Sequence, residues 1–240
     1  LAVNISDLAA MGATPLWFLL SLTLPEVEAD WLAGFSRGLF ELADQAGISL
    51  VGGDITRGPL SVSIQATGAV PPGLALRRDG ARAGDQICVG GVTGAGLLGL
   101  EQWQAGQRHG PAVGHFRRPR PQWELGMALR GQASACIDIS DGVLADLNHI
   151  LQASGELGAC LDEAALPDDP SVLAGCSVDK QRALQLQGGD DYLLLFTLPP
   201  SKPVPHGSYC LGRIEAQPGM RLRQRDGAVR TLTVTGWQHF

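Results

Sequence analysis

The sequence predicts an α/β fold with α+β mixed sheets, divided into two domains. Three observations carry that expectation. Apolar residues at helical spacing alternate with short apolar or every-other-residue runs along the whole chain. Glycine occurs 32 times in 240 residues, well above the usual share of about 7%, so the chain needs many tight turns or close backbone approaches. Pro71-Pro72-Gly73 interrupts the pattern and separates residues 1–72, an N-terminal α/β domain, from residues 73–240, a C-terminal α/β domain.

Leu1, Ile5 and Leu8 share one helical face, Asn4 and Asp7 another, and Gly12 followed by Thr14-Pro15 stops that helix. Leu16–Leu24 reads as a buried strand. Trp31, Phe35, Leu39, Leu42 and Ala46 mark an amphipathic helix closed by Gly47. Ile48–Val51 is a short strand running into Gly52-Gly53-Asp54, and Val62, Ile64 and Ala66 alternate with polar residues as a half-buried strand. In the second part Gln86–Val89 is a strand, a helix starts at Gly94, and Gln122–Arg130 is another helix. Ala135–Ile137 is a strand feeding Asp138-Ile139-Ser140-Asp141-Gly142, and Val143, Leu147, Ile150 and Leu151 line one face of the helix that follows. Gly188-Gly189-Asp190-Asp191 precedes a strand at Tyr192–Leu198. Tyr209–Ile214 and a hairpin over Met220–Val234, turning at Asp226-Gly227, close the chain.

Composition narrows the function classes. Hydrophobic residues make up 45% and charged residues 18%, the balance of a chain that folds around a core. The net charge is −6, and no basic stripe exists to neutralise a nucleic-acid backbone, so no nucleic-acid partner is expected. No apolar run approaches the ~18 residues of a membrane span, so no membrane association is expected. Cys88, Cys136, Cys160, Cys176 and Cys210 form no C-x-x-C pair, which argues against a disulfide framework or a structural zinc site. Free thiols fit a reducing, cytoplasmic compartment. The chain opens at Leu1 within a helical pattern, with neither Met nor cap, and is expected to lack an N-terminal segment.

The element that carries chemistry is a strand, then small residues, then aspartate. Gly52-Gly53-Asp54, Asp138-x-Ser140-Asp141-Gly142 and Gly188-Gly189-Asp190-Asp191 share it. Glycine lets backbone N–H groups close on phosphate oxygens, and the carboxylate that follows can hold Mg2+. A lone Gly-Gly-Asp is usually a plain turn; three of them, with Asp7 on a helix, point to magnesium and nucleotide phosphates. No Walker-type phosphate loop and no protein-kinase pattern occurs. All basic residues except Lys180 and Lys202 are arginine, so arginine must share the phosphate charge. Arg77-Arg78 is the candidate, either as a bidentate clamp or as a solvated loop pair. His149 reads as a surface or core histidine rather than a catalytic one. Gly94-x-Gly96 lacks the third glycine at dinucleotide spacing and is discounted.

Taken in order, these motifs resemble the thiamine-monophosphate kinase family over the whole chain. The residues are Asn4-Ile5-Ser6-Asp7-Leu8-Ala9-Ala10-Met11-Gly12-Ala13 with Pro15, Leu50–Asp54, Arg78 ahead of Gly80-Ala81, and Asp138–Gly142. Gly188–Tyr192 and the closing Gly236-Trp237-Gln238-His239-Phe240 complete the match. The resemblance implies the two-domain fold of the aminoimidazole ribonucleotide synthetase-like superfamily, with residues 1–72 binding metal and ATP and forming a homodimer. It implies ATP-dependent phosphorylation of thiamine monophosphate to thiamine diphosphate, by direct in-line transfer. Asp7, Asp54, Asp138 and Asp141 would be Mg2+ ligands, and Gly53, Asp54, Arg78 and Ser140 would contact ATP. Asp54, Asp138, Asp141 and Arg78 would thereby form the catalytic set, while Asp190 and Trp237 would touch the thiamine part.

Asp190 stands where that family usually has glutamate. The family also carries an Asp-Asp pair, a Thr-Asp pair and a substrate-contacting histidine upstream of the point where this chain opens. The 240 residues alone are therefore expected to have low or no activity. Two other readings stay open: another ATP-using member of the superfamily, such as a ribonucleotide cyclo-ligase or a selenophosphate synthetase, and an inactive nucleotide- or metal-binding module.

Overall fold

The computed structural model describes residues 1–173 and 175–234. Helix α1 (Ala2–Ala10) ends where the sequence requires: Gly12 has φ +65°, a left-handed conformation that favours glycine. The Ala13 amide then returns to the Leu8 carbonyl at 2.8 Å. Strand β1 (Thr14–Leu24), helix α2 (Ala29–Ala46), strand β2 (Ser49–Arg57) and strand β3 (Ser61–Ala69) follow. They form a three-stranded sheet of order β2-β1-β3, with β1 parallel to β2 and antiparallel to β3. A parallel pair needs a crossover, which α2 supplies before it stops at Gly47, φ +64°. Its Leu39, Ala43 and Ala46 pack with Ile48 against Phe18 and Ile5. Phe18 is wholly buried, which alone contributes roughly 1.5–3 kcal/mol.

Two expectations fail in this sheet. β1 is not buried on both faces: Phe18 and Leu22 point to the core while Trp17 and Leu19 stay about two-fifths exposed. β2 does not end at Gly52-Gly53-Asp54 but runs through it to Arg57. Gly53 (φ +143°) is what permits this, because a β-carbon there would lie 1.8 Å from the Leu20 carbonyl oxygen of the parallel neighbour. Asp54 is thus inside an edge strand, not at a strand end.

The remainder builds a mixed seven-stranded sheet. Its elements in chain order are β4 (Gln86–Val89), α3 (Ala95–Gln104), α4 (Pro111–Arg117), α5 (Trp123–Ala128), β5 (Ala135–Asp138) and α6 (Val143–Ala153). Then come β6 (Gly158–Asp162), a 3-10 turn (Glu163–Ala165), α7 (Pro170–Leu173), α8 (Val178–Gln187) and β7 (Leu194–Leu198). β8 (Tyr209–Glu215) and the antiparallel pair β9 (Gly219–Arg223) and β10 (Val229–Leu232) complete it. The strand order is β10-β9-β6-β8-β4-β7-β5. The sequence reading missed α4, β6, α7 and α8, and began β7 two residues early. Tyr192 has φ +52°, so extended pairing cannot start until Leu194.

Helix α1 belongs to both halves. Ile5 enters the core of the small sheet, whereas Ala9 and Ala10 pack with Cys136, Leu194 and Phe196 of the large one. Small side chains are needed for that close approach; the next face carries Ser6 and Asp7. Among the described residues no helix is long and apolar enough to cross a membrane.

Candidate active site

Strand β5 delivers Asp138 to its end beside the polar face of α1. The buried Ser6 hydroxyl donates to Asp138 Oδ2 at 2.6 Å and also faces the Tyr192 carbonyl at 3.5 Å. Asp7, one residue on, opens with Asp138 into a cleft of about 580 Å3 whose wall includes Met11, Leu76, Arg77 and Arg78. Burial holds the Asp138 carboxyl above the usual carboxylate range, against the Ser6 hydrogen bond and the Arg78 charge, which pull it down. Asp7 is raised by burial first and by repulsion from Asp138 second, and is lowered again by Arg78. Two carboxylates short of positive charge, with hard oxygen donors facing one space, fit a divalent cation such as Mg2+.

The paired arginines divide their work. Arg77 is tied to Asp79, its Nε donating to Oδ1 at 2.8 Å. The Arg78 guanidinium makes no hydrogen bond or ion pair among the described residues, so its charge is left for the cleft. Arg78 is exposed on the cleft wall, so of the pair it alone is placed to act as a clamp.

The Asp138–Gly142 loop is braced from behind by a residue that sequence reasoning passed over. Asp146, in the first turn of α6, is buried, and its Oδ2 accepts the amides of Ser140, Asp141 and Gly142, each at 3.1 Å. Burial raises its carboxyl to about 7, although the Asp141 and Gly142 amides pull it down. The carboxylate thereby fills the concavity of N–H groups that could otherwise cradle a phosphate. Ser140 keeps its exposed side chain, but its amide is committed to the protein. Asp141 lies with Asp146 and His149 so that one ligand atom from each falls within 4.8 Å of the others. His149 is exposed at the rim of this group.

The two adjacent acids of Gly188-Gly189-Asp190-Asp191 have different jobs. Asp190 (φ +62°) donates its amide to the Ser140 carbonyl at 2.9 Å, which sets the loop against Asp138–Gly142. Its carboxylate accepts the Tyr192 hydroxyl at 3.1 Å. Burial, then Asp190, raises the Tyr192 phenol, with smaller contributions from Asp138 and Asp7, so the residue presents a neutral O–H to the site. Asp191 is wholly buried and faces away, accepting the amides of Gly94 (2.6 Å) and Gly96 (2.9 Å) at the start of α3. Those amides, which a dinucleotide loop would offer to phosphate, are occupied by the protein itself.

The structure therefore brings Asp7, Arg78 and Asp138 into one cleft and sets Ser140, Asp141 and Asp190 in the two bonded loops next to Asp138. It does not bring Asp54. That residue is exposed on β2, opposite Ser21 of β1, and its carboxylate accepts only the Ile55 amide (2.9 Å) among the described residues. Gly53 next to it is explained by strand packing. Trp237 lies outside the described residues. Ser6, Tyr192 and Asp146 were missed as site residues; the only signal in the sequence is their place inside or just behind the acidic motifs.

The family described as AIR synthase related protein, N-terminal domain, matches residues 1–70. The thiamine-monophosphate kinase of Salmonella typhimurium is 43% identical over 257 residues, covering 100% of this chain and 78% of its own length. That of Escherichia coli K12 is 40% identical with the same coverage. Among solved structures, thiamine-monophosphate kinase from Stenotrophomonas maltophilia K279a superposes with a TM-score of 0.86 at 41% identity, over 94% of this chain and 76% of that one. AaThiL complexed with AMPPCP and TMP superposes with a TM-score of 0.87 at 30% identity, over 100% and 78%.

Proposed function

The chain belongs to the thiamine-monophosphate kinase family, and from that premise we propose that it uses ATP and Mg2+ to phosphorylate thiamine monophosphate to thiamine diphosphate. The observation that carries the proposal is the facing pair Asp7 and Asp138, one bonded to Ser6 and both acted on by Arg78 in a shared cleft. The relative complexed with AMPPCP and TMP supports a site that takes both substrates.

An oxygen of the acceptor phosphate attacks the γ-phosphorus of ATP in line, the bond to the β,γ-bridging oxygen breaks, and ADP leaves. The attacking phosphate is already ionised, so no general base is required, in keeping with a cleft lined by no histidine among the described residues. Catalysis is then positioning and charge balance. Ser6 fixes the rotamer of Asp138, Arg78 offers its free guanidinium to phosphate oxygens, and Ser140 presents its hydroxyl to ATP. Asp190, with Tyr192 bonded to it, faces the thiamine portion, where its shorter arm replaces a glutamate. Asp7, Asp138 and Asp141, joined by Asp54 where a second copy closes the edge of β2, would hold Mg2+, which neutralises phosphate charge when bound.

The proposal includes a homodimer. β2 is an edge strand of nine residues, nearly all exposed, and Trp17, Leu19, Val51, Ile55 and Val62 leave apolar surface uncovered around it. Such an edge invites a second copy, and Asp54 sits on the same open face. The division into residues 1–72 and 73–240 follows the change from the small sheet to the large one.

Asp138→Asn in the full-length protein tests the reading. It should lower kcat by about 100-fold or more without loss of thermal stability, measured as thiamine-monophosphate-dependent release of ADP. Wild-type turnover at saturating Mg2+ would end the assignment.

A further inference from the structure

A second pocket, of about 260 Å3, is formed by the loop that leads into α4 and by α4 itself, and shares no lining residue with the cleft. Its lining includes Arg108, His109, Gly110, Gly114, Arg117 and Arg118. Residues 102–123 hold four arginines and two histidines and no acidic residue, in a chain of net charge −6. Among the described residues none of these arginines is paired with a carboxylate. The guanidinium carbons of Arg108 and Arg117 lie 4.2 Å and 4.9 Å from the centroid of the one Trp103 ring, a cation–π arrangement that orders both while leaving their N–H groups to other partners. Arg108 donates only to the Trp103 and Gln107 carbonyls among the described residues. The side chains of Arg117 and Arg118 make no hydrogen bond or ion pair there.

The pocket is also held in place. α4 packs Ala112 and Val113 into the protein, and His115 Nε2 lies 3.0 Å from the Asp191 carbonyl oxygen. Burial keeps His115 below the usual histidine range, so it serves as a neutral tether rather than a further cation. Like charges gathered on a fixed frame repel one another unless an anion joins them. Arginine forks suit phosphate oxygens, and Gly110 and Gly114 put no side chains in the way. The volume is below the roughly 300–1,000 Å3 of pockets that enclose drug-sized ligands, and the patch is too short to track a nucleic-acid strand.

We propose that this pocket at α4 binds a small phosphate-bearing anion, of the diphosphate class, through Arg108, Arg117 and Arg118, separately from the kinase cleft. The experiment is a titration of the full-length protein with inorganic diphosphate in EDTA, followed by calorimetry. Thiamine diphosphate serves as a parallel arm to distinguish the free anion from a diphosphate ester. Saturable binding that weakens at least about tenfold in R117Q/R118Q supports the site, with unchanged basal kinase kinetics in that variant; tenfold corresponds to ~1.4 kcal/mol. Persistence of binding in Asp138→Asn separates it from the cleft, so its fate does not depend on the kinase reading. Absence of saturable binding by either compound at millimolar concentration, or equal binding by R117Q/R118Q, would overturn it.

Discussion

Asp138–Gly142 and Gly52-Gly53-Asp54 read alike in sequence, as strand, small residues and aspartate, yet the fold treats them oppositely. The first lies where α1, β7 and α6 meet. Ser6 holds Asp138, three amides of the loop converge on Asp146, and the Ile139 amide is bonded to the Leu193 carbonyl at 2.8 Å. The second lies on an edge strand of a sheet whose outer face nothing in the described chain covers, and Asp54 accepts one amide from its own neighbour. A carboxylate braced from behind can be aimed before substrate arrives; one on a bare edge needs a further surface to complete its site. That contrast separates residues whose loss damages the frame from residues whose loss damages only the chemistry.

Asp146→Ala should produce the largest effect on the frame. It leaves the Ser140, Asp141 and Gly142 amides without their acceptor, one of them buried outright. At about 1–3 kcal/mol for each unsatisfied buried group, discounted for partial exposure, the loss is about 3 kcal/mol. For a domain of this size that lowers Tm by roughly 6–12 °C. Scanning calorimetry would read it, and an unchanged Tm would mean the bracing is dispensable. Asp54→Ala should do the reverse: Tm within about 1 °C of wild type, as befits an exposed surface substitution, but turnover reduced ~100-fold if Asp54 joins the metal and phosphate machinery. Full activity in that variant would break the comparison on its chemical side, and a large fall in Tm would break it on the structural side.

Much of the frame was legible because local rules govern it. Gly12 and Gly47 end helices through the left-handed conformation that only glycine adopts cheaply, and the period of α2 follows from its apolar stripe. Gly53 misled for an equally physical reason: glycine weakens strands and reads as a stop, but here it lets β2 lie close along β1. The split between Asp190 and Asp191 could not be read, because it depends on two left-handed residues, Asp190 and Tyr192, that turn adjacent carboxylates in different directions. Asp146 was hidden for another reason. An acid in the first turn of a helix is common as a partner for the helix dipole, and nothing local says that its carboxylate bends back to three amides. Ser6 was quoted in its motif, but its partner lies 132 residues away.

The smallest expected effect concerns pH, and it sharpens the contrast from the braced side. Asp7 and Asp138 are both held above the ordinary carboxylate range, by burial first, with repulsion from Asp138 adding at Asp7 and from Asp141 at Asp138, and with Arg78 only partly compensating. Without metal, the folded state therefore binds these protons more tightly than the unfolded chain does. The sign follows from linkage: the stabilisation is complete below the ordinary aspartate pKa of about 3.9 and is lost as pH rises through the elevated values. Mg2+ acts in the opposite sense, because it favours the ionised pair and stabilises the folded protein in proportion to its occupancy. Melting curves with and without Mg2+ should thus show a metal-dependent rise in Tm that grows from about pH 5 to about pH 8. In Asp138→Asn the rise should shrink and its pH dependence flatten, whereas Asp146→Ala should retain a pH-dependent rise from a lower starting Tm. A rise that is largest at the acidic end would mean that the Asp7–Asp138 pair is not where the metal binds.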